Sequence, residues 1–155
     1  MNRALIRSFA LVGILWAAGG LTHLRAQISV QGGNLLMSVT TGTAGAQPVA
    51  VTSTATTLRI RRETVVTKVT VSTSCPGQRF SLAVLATNLT SGVAAPQVNL
   101  VNGMPAADFI LNLPTNGTLN KTCTLRYTAS ATFAQGNSTE LGNDVHSITY
   151  TLVAQ

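Results

Sequence analysis

Two cysteines, Cys75 and Cys123, one histidine, His146, and four carboxylates, Glu63, Asp108, Glu140 and Asp144, carry the chemical potential of residues 27–155. Glycoside hydrolysis needs two carboxyl groups facing each other across a sugar. Glu140 and Asp144 are close in sequence, but "NSTELGND" surrounds them with Asn, Gly, Ser and Thr, the composition of a solvated loop. His146 could act as base for one of the many Ser residues, yet no nucleophile elbow or comparable signature accompanies it. Zinc is not expected, because one His and two bonded Cys do not make a ligand set. Calcium would need several carboxylates converging in one loop, and Glu140, Asn143 and Asp144 lack a characteristic spacing. No Gly-rich loop opens into a helix, so a phosphate cradle is absent from the sequence. The expectation is a non-enzyme with no catalytic residue, no cofactor and no metal.

The start of the chain sets the compartment. "MNRALIR" is a short basic opening, "SFALVGILWAAGGL" is an uncharged apolar run, and "THLRAQ" follows. This is the three-part layout of a secretory signal peptide, bacterial in style. Cleavage after Ala26 leaves a small residue at the last leader position, with the larger Leu24 two before it. Residues 1–26 are therefore read as a cleaved leader and 27–155 as a single domain. The apolar run is short for a membrane span, so no stable span is expected after its removal. No Cys lies near the cut, which argues against a lipid anchor. The periplasm, cell surface or extracellular space is the expected location. In such a compartment an even pair of cysteines reads as one disulfide, Cys75–Cys123. Closing so long a loop would contribute about 3–4 kcal/mol.

Charge excludes one class of partner. Losing Arg3, Arg7 and Arg25 with the leader lowers the formal charge from +6 to +3. Only "RIRRE" is clustered, and no broad basic face with interleaved aromatics is present, so nucleic acid is not an expected partner. Asn88, Asn116, Asn120 and Asn137 match the glycosylation pattern, as Thr-rich chains do by chance.

The elements that must position these residues are strands. β-branched residues dominate, Gly and Asn punctuate, and the apolar period is two throughout. Candidate strands are "NLLMSVT", "TTLRIRR" with Leu58 and Ile60 on one face, and "TVVTKVTVST", where the phase of Val65, Val66 and Val69 suggests a bulge. "RFSLAVLAT" places Phe80, Leu82 and Val84 together, and "PQVNLVN" and "ADFILNL" follow. "TCTLRYTASATF" aligns Cys123, Leu125, Tyr127 and Phe133 on one face. "VHSITYTLVAQ" aligns His146 with Ile148, Tyr150 and Leu152, the terminal core strand. Seven to nine short strands with this spacing predict an all-β fold: an antiparallel β-sandwich with immunoglobulin-like or Greek-key connections. Every aromatic except Phe109 lies on an apolar strand face, and Phe109 sits within "DFIL", so all five read as core rather than as sugar platforms.

The leader, the low charge, the Thr-rich alternating strands, the cysteine pair and the Tyr-bearing last strand together resemble small exported bacterial surface proteins. The nearest comparisons are pilin-like fimbrial subunits and spore-coat-U-like proteins. That resemblance implies an immunoglobulin-like sandwich and assembly by donated strands. Tyr150 is followed by five residues and Cys123 lies late in the chain, two departures from the pilin pattern.

A last strand must be paired on at least one side. A hairpin with "TCTLRYTASATF" is the expected partner, and "NLLMSVT" is a candidate cover for the far edge. Another subunit is the alternative cover, with Ile28, Val30, Leu35 and Met37 as the apolar positions of a donor segment. The functional expectation is an exported structural or cell-surface protein, a subunit of an extracellular filament or coat. Its partner would be itself or another surface protein. The alternative is a secreted monomeric binding module for a glycan or protein ligand.

Overall fold

The alternating stretches become nine strands in the computed structural model, which describes residues 27–61, 65–115, 120–136 and 138–155. The leader expected over 1–26, Arg62 and Glu63 of the basic cluster, and Asn116 and Asn137 lie outside the described residues. The strands are β1 (Gln27–Gln31), β2 (Val51–Arg61), β3 (Thr67–Ser74), β4 (Ser81–Thr87), β5 (Val93–Ala94), β6 (Val98–Leu100), β7 (Ala107–Leu113), β8 (Lys121–Ser130) and β9 (Ser147–Ala154). A 3₁₀ turn (Phe133–Gln135) and the one-turn helix α1 (Ser138–Leu141) stand between β8 and β9. No helix of the described residues is long and apolar enough to cross a membrane.

Two antiparallel sheets result, ordered β1-β2-β8-β4-β6 and β5-β7-β3-β9. From β2 onward each successive strand lies in the sheet opposite its predecessor. Only β1 and β2 are neighbours both in sequence and in a sheet, so the hairpin-linked run of a Greek key does not occur among the described strands. Both sheets turn their apolar faces to one shared core. Leu58, Ile60, Val84 and Leu125 enter it from the first sheet, and Val69, Val71, Phe109 and Leu113 from the second. Each fully buried Leu or Val contributes about 1.5–3 kcal/mol. Tyr127 and Tyr150 join their hydroxyls at 2.8 Å, linking β8 to β9, and the Tyr150 ring packs on Phe109 at 5.2 Å.

The expected face of the last strand is the observed one: Tyr150 is buried, Ile148 and Leu152 are partly buried against the core, and Thr149 and Thr151 face out. Irregularity expected around Val65–Val69 is found in the β3–β7 register, which shifts at Thr67, Val69 and Thr70. Val65 and Val66 themselves precede β3 and are exposed.

Three expectations are corrected. First, β9 does not form a hairpin with β8; it pairs with β3 over its full length. Strand β8 has no vacant side, being flanked by β2 and β4. Second, "NLLMSVT" is extended, with Leu35 and Met37 leaning on the core, but it joins no ladder. The far edge of β9, which it would have to cover, therefore has no described strand beside it. Gly32 separates β1 from this segment at φ +110°, where a Cβ would lie 2.7 Å from the Ala55 carbonyl oxygen, so only glycine fits this close approach to the β2 bulge. Third, β8 ends at Ser130, which leaves Phe133 in the following turn and 64% exposed rather than in the core.

Candidate functional site

The expected disulfide is absent: Cys75 and Cys123 are separate, buried free thiols. Strand direction explains this. β3 starts opposite Leu113 of β7, and the Pro114 carbonyl beside it accepts Lys121 Nζ at the start of β8. Gln78, just past β3, shares a groove with Ser130 at the end of β8, so β3 and β8 travel the same way in their two sheets. The Tyr127–Tyr150 contact is level with Val71, the β3 partner of Tyr150. Cys123 precedes that level by four residues and Cys75 follows it by four, a separation on the order of 25 Å at strand rise. Disulfide bonding requires Cα atoms within about 7 Å. Cys123 sits in the core, opposite Leu58 across the β2–β8 ladder, and burial pushes its thiol up to about 11.

Cys75 lies at the other pole, in company that the sequence does not announce. Continuing the β3–β9 register one residue beyond Ser74↔Ser147 sets Cys75 opposite His146. Asp144, two residues before His146, joins them from the loop ahead of β9. The Cys75 sulfur, one ring nitrogen of His146 and a carboxylate oxygen of Asp144 all lie within 4.8 Å of one another.

Each member of this cluster is held by its neighbours. Asp144 Oδ2 accepts the backbone N–H groups of Arg79 at 2.9 Å and Phe80 at 2.7 Å, tying the loop before β9 to the start of β4. His146 Nδ1 meets the Thr73 hydroxyl at 3.2 Å, which fixes the ring's orientation. Cys75 donates its backbone N–H to Asn102 Oδ1 at 2.8 Å, and its carbonyl accepts the Gln78 N–H in the "CPGQ" turn. Gln78 then donates to the Phe80 and Leu100 carbonyls and accepts the Asn102 N–H. Burial raises the Cys75 thiol, the Asp144 charge adds to that, and a backbone hydrogen bond from Val145 opposes it. Burial lowers His146, with Asp144 pulling in the other direction.

The second feature is an open edge. Strand β9 pairs with β3 on one side and with no described strand on the other. It is eight residues long, whereas the edge strands β5 and β6 have two and three. "SITYTLVA" contains no charge and no Pro, and its register with β3 is continuous. Charge, Pro and bulges are the devices that ordinarily blunt an edge, and β9 carries none of them.

Of the donor positions, Ile28 and Val30 lie in β1, paired to Ile60 and Leu58 of the same chain, with Val30 largely exposed. A groove of about 310 Å³ with a mixed polar and apolar lining lies along β4, β6 and β8, formed by Gln78, Ser81, Leu82, Asn99, Val101 and Thr128 among others. No aromatic side chain lines it. Lys68 and Asp108 form an ion pair at 2.7 Å across β3 and β7. Comparison with protein-family models, with curated proteins and with solved structures gave no match.

Strand alternation was enough to place His146 on the Tyr150 face. It was not enough to bring Cys75 there, because no local signal pairs the third strand with the last. The available hint was negative: a Cys followed by Pro-Gly ends its strand, and cannot also sit beside the start of a strand running the same way.

Proposed function

We propose that this chain is an exported, non-enzymatic structural or cell-surface protein, a β-sandwich subunit that joins other subunits through its last strand. The observation that carries this reading is the β9 edge: long, uncharged, proline-free, bulge-free and unpaired among the described strands. A row of free backbone N–H and C=O groups on such an edge is a template for strand addition. Half of the backbone groups of an edge strand point away from its one partner, and a second copy satisfies them without new side-chain chemistry. The resemblance to pilin-like and spore-coat-U-like proteins points the same way. The β1 segment is seated on its own sheet, so the reading places the junction at β9 and leaves Ile28 and Val30 where they are.

A secreted binding module for a glycan or protein is the second reading, and the groove along β4, β6 and β8 favours it. One experiment separates the two. Thr149 and Thr151 are exposed on β9, so the Thr149→Lys, Thr151→Lys double variant charges the edge without touching the core. The assembly reading expects light scattering of the native chain to grow with concentration and that of the variant to stay monomeric. A native chain that is monomeric at every concentration supports the binding-module reading instead.

A further inference from the structure

We propose that Cys75, Asp144 and His146 form a binding site for a divalent transition-metal ion of the zinc type. One thiol, one imidazole and one carboxylate already lie within 4.8 Å of one another at the pole where β3 ends and β9 begins. Around a tetrahedral zinc, with bonds of about 2.0–2.3 Å, ligand atoms stand roughly 3.3–3.7 Å apart. The three groups therefore need to close by about 1.5 Å at most. The donor set of soft sulfur, borderline nitrogen and hard oxygen suits zinc and its close analogues rather than calcium or magnesium.

The surroundings support the assignment. A ligating histidine is ordinarily oriented by a hydrogen bond at its ring, and Thr73 supplies such a contact. A ligating carboxylate is ordinarily hydrogen-bonded in turn, and Arg79 and Phe80 give Asp144 two backbone N–H groups. Asp144 and His146 are partly exposed, which gives the ion a route in and leaves a fourth position for water or a group from a partner. Binding exchanges one proton for one metal–sulfur bond: the Cys75 thiol releases its proton to solvent, and the thiolate pair forms the bond to the ion. No oxidant or reductant is involved. The site depends on Cys75 being a free thiol and is independent of the β9 edge, so either proposal can fail alone.

The test uses the reduced, chelator-stripped chain and cobalt(II) or zinc(II) alone. The expected result is one cobalt ion per chain with a thiolate-to-cobalt charge-transfer band in the near ultraviolet. Cys75→Ser should remove the band and weaken zinc binding at least about a hundredfold, more than the loss of an outer partner typically costs. Cys123→Ser should keep both. Asp144→Asn retains an acceptor for the Arg79 and Phe80 N–H groups, so it should weaken the metal while leaving the fold's circular dichroism unchanged. Absence of the charge-transfer band in the native chain, which requires no variant to fold, overturns the site. Equal zinc affinity in native protein and Cys75→Ser overturns it too.

Discussion

The Tyr127–Tyr150 pair shows how much one side-chain contact decides here. Both rings were legible as core residues from strand alternation; that their hydroxyls meet across two sheets was not, because it depends on which strands face each other. Two phenol groups are hard to bury separately, and each satisfies the other at 2.8 Å. Tyr150→Phe should therefore cost about 1–3 kcal/mol, the penalty for leaving the Tyr127 hydroxyl buried without a partner. Adding Tyr127→Phe should recover part of that loss, since the orphaned group is then gone. Urea denaturation of the two single variants and the double variant checks this. Strict additivity would mean that the hydroxyls do not act as a pair. The cysteines give the complementary lesson. Their types and the compartment expected from the leader argue for a bond, yet the parallel travel of β3 and β8 separates them by a strand's length. Only strand direction could have shown this.

Among the elements, β8 is the best defined by sequence and the most central in the structure. Its Cys123, Leu125 and Tyr127 are buried, and strands pair with it on both sides. Leu125 is 0% exposed, so Leu125→Ala should cost about 2–5 kcal/mol through lost burial and the cavity left behind. Leu36, 87% exposed in the unpaired segment, is the control: Leu36→Ala should stay within about 0.5 kcal/mol. Comparable losses at the two positions would contradict the described core. The faces of β2, β8 and β9 follow from period-two patterning, whereas β7 buries the adjacent Phe109 and Ile110 and departs from it. "NLLMSVT" carries the same pattern without becoming a strand: its burial alternates, but its backbone joins no ladder. Patterning reports which side of an extended segment is buried, and says nothing about whether its backbone has a partner.

At the scale of the whole molecule, the sheet order was the least legible feature. Strands adjacent in sequence are usually adjacent in space. Here they alternate between sheets after β2, so every pairing after β1–β2 joins strands that are not neighbours in sequence. That arrangement leaves β9 on an outer edge. The buried titratable groups also act on the molecule as a whole. Cys123 moves from its ordinary 9.0 to about 11, so the stability gained by keeping it protonated is complete below about pH 9 and is lost as pH rises through 11. Tyr127 and Tyr150 are raised as well, and their contribution fades in the same direction from their ordinary 10.0. His146 is lowered from 6.5, so its contribution is present above 6.5 and is lost as pH falls through its folded value. The urea midpoint should be flat between these limits and fall on either side. A midpoint rising between pH 9 and 11 would contradict the burial of these groups.

The central claim, that β9 is the face through which copies join, is tested most directly by backbone amide hydrogen exchange across Ser147–Ala154 at increasing protein concentration. The account predicts that the β9 amides pointing away from β3 exchange fast in dilute solution and become protected as concentration rises. The amides bonded to β3 should be protected throughout. Outward amides that exchange equally fast in dilute and concentrated protein, or that are already protected in the dilute monomer, would contradict it.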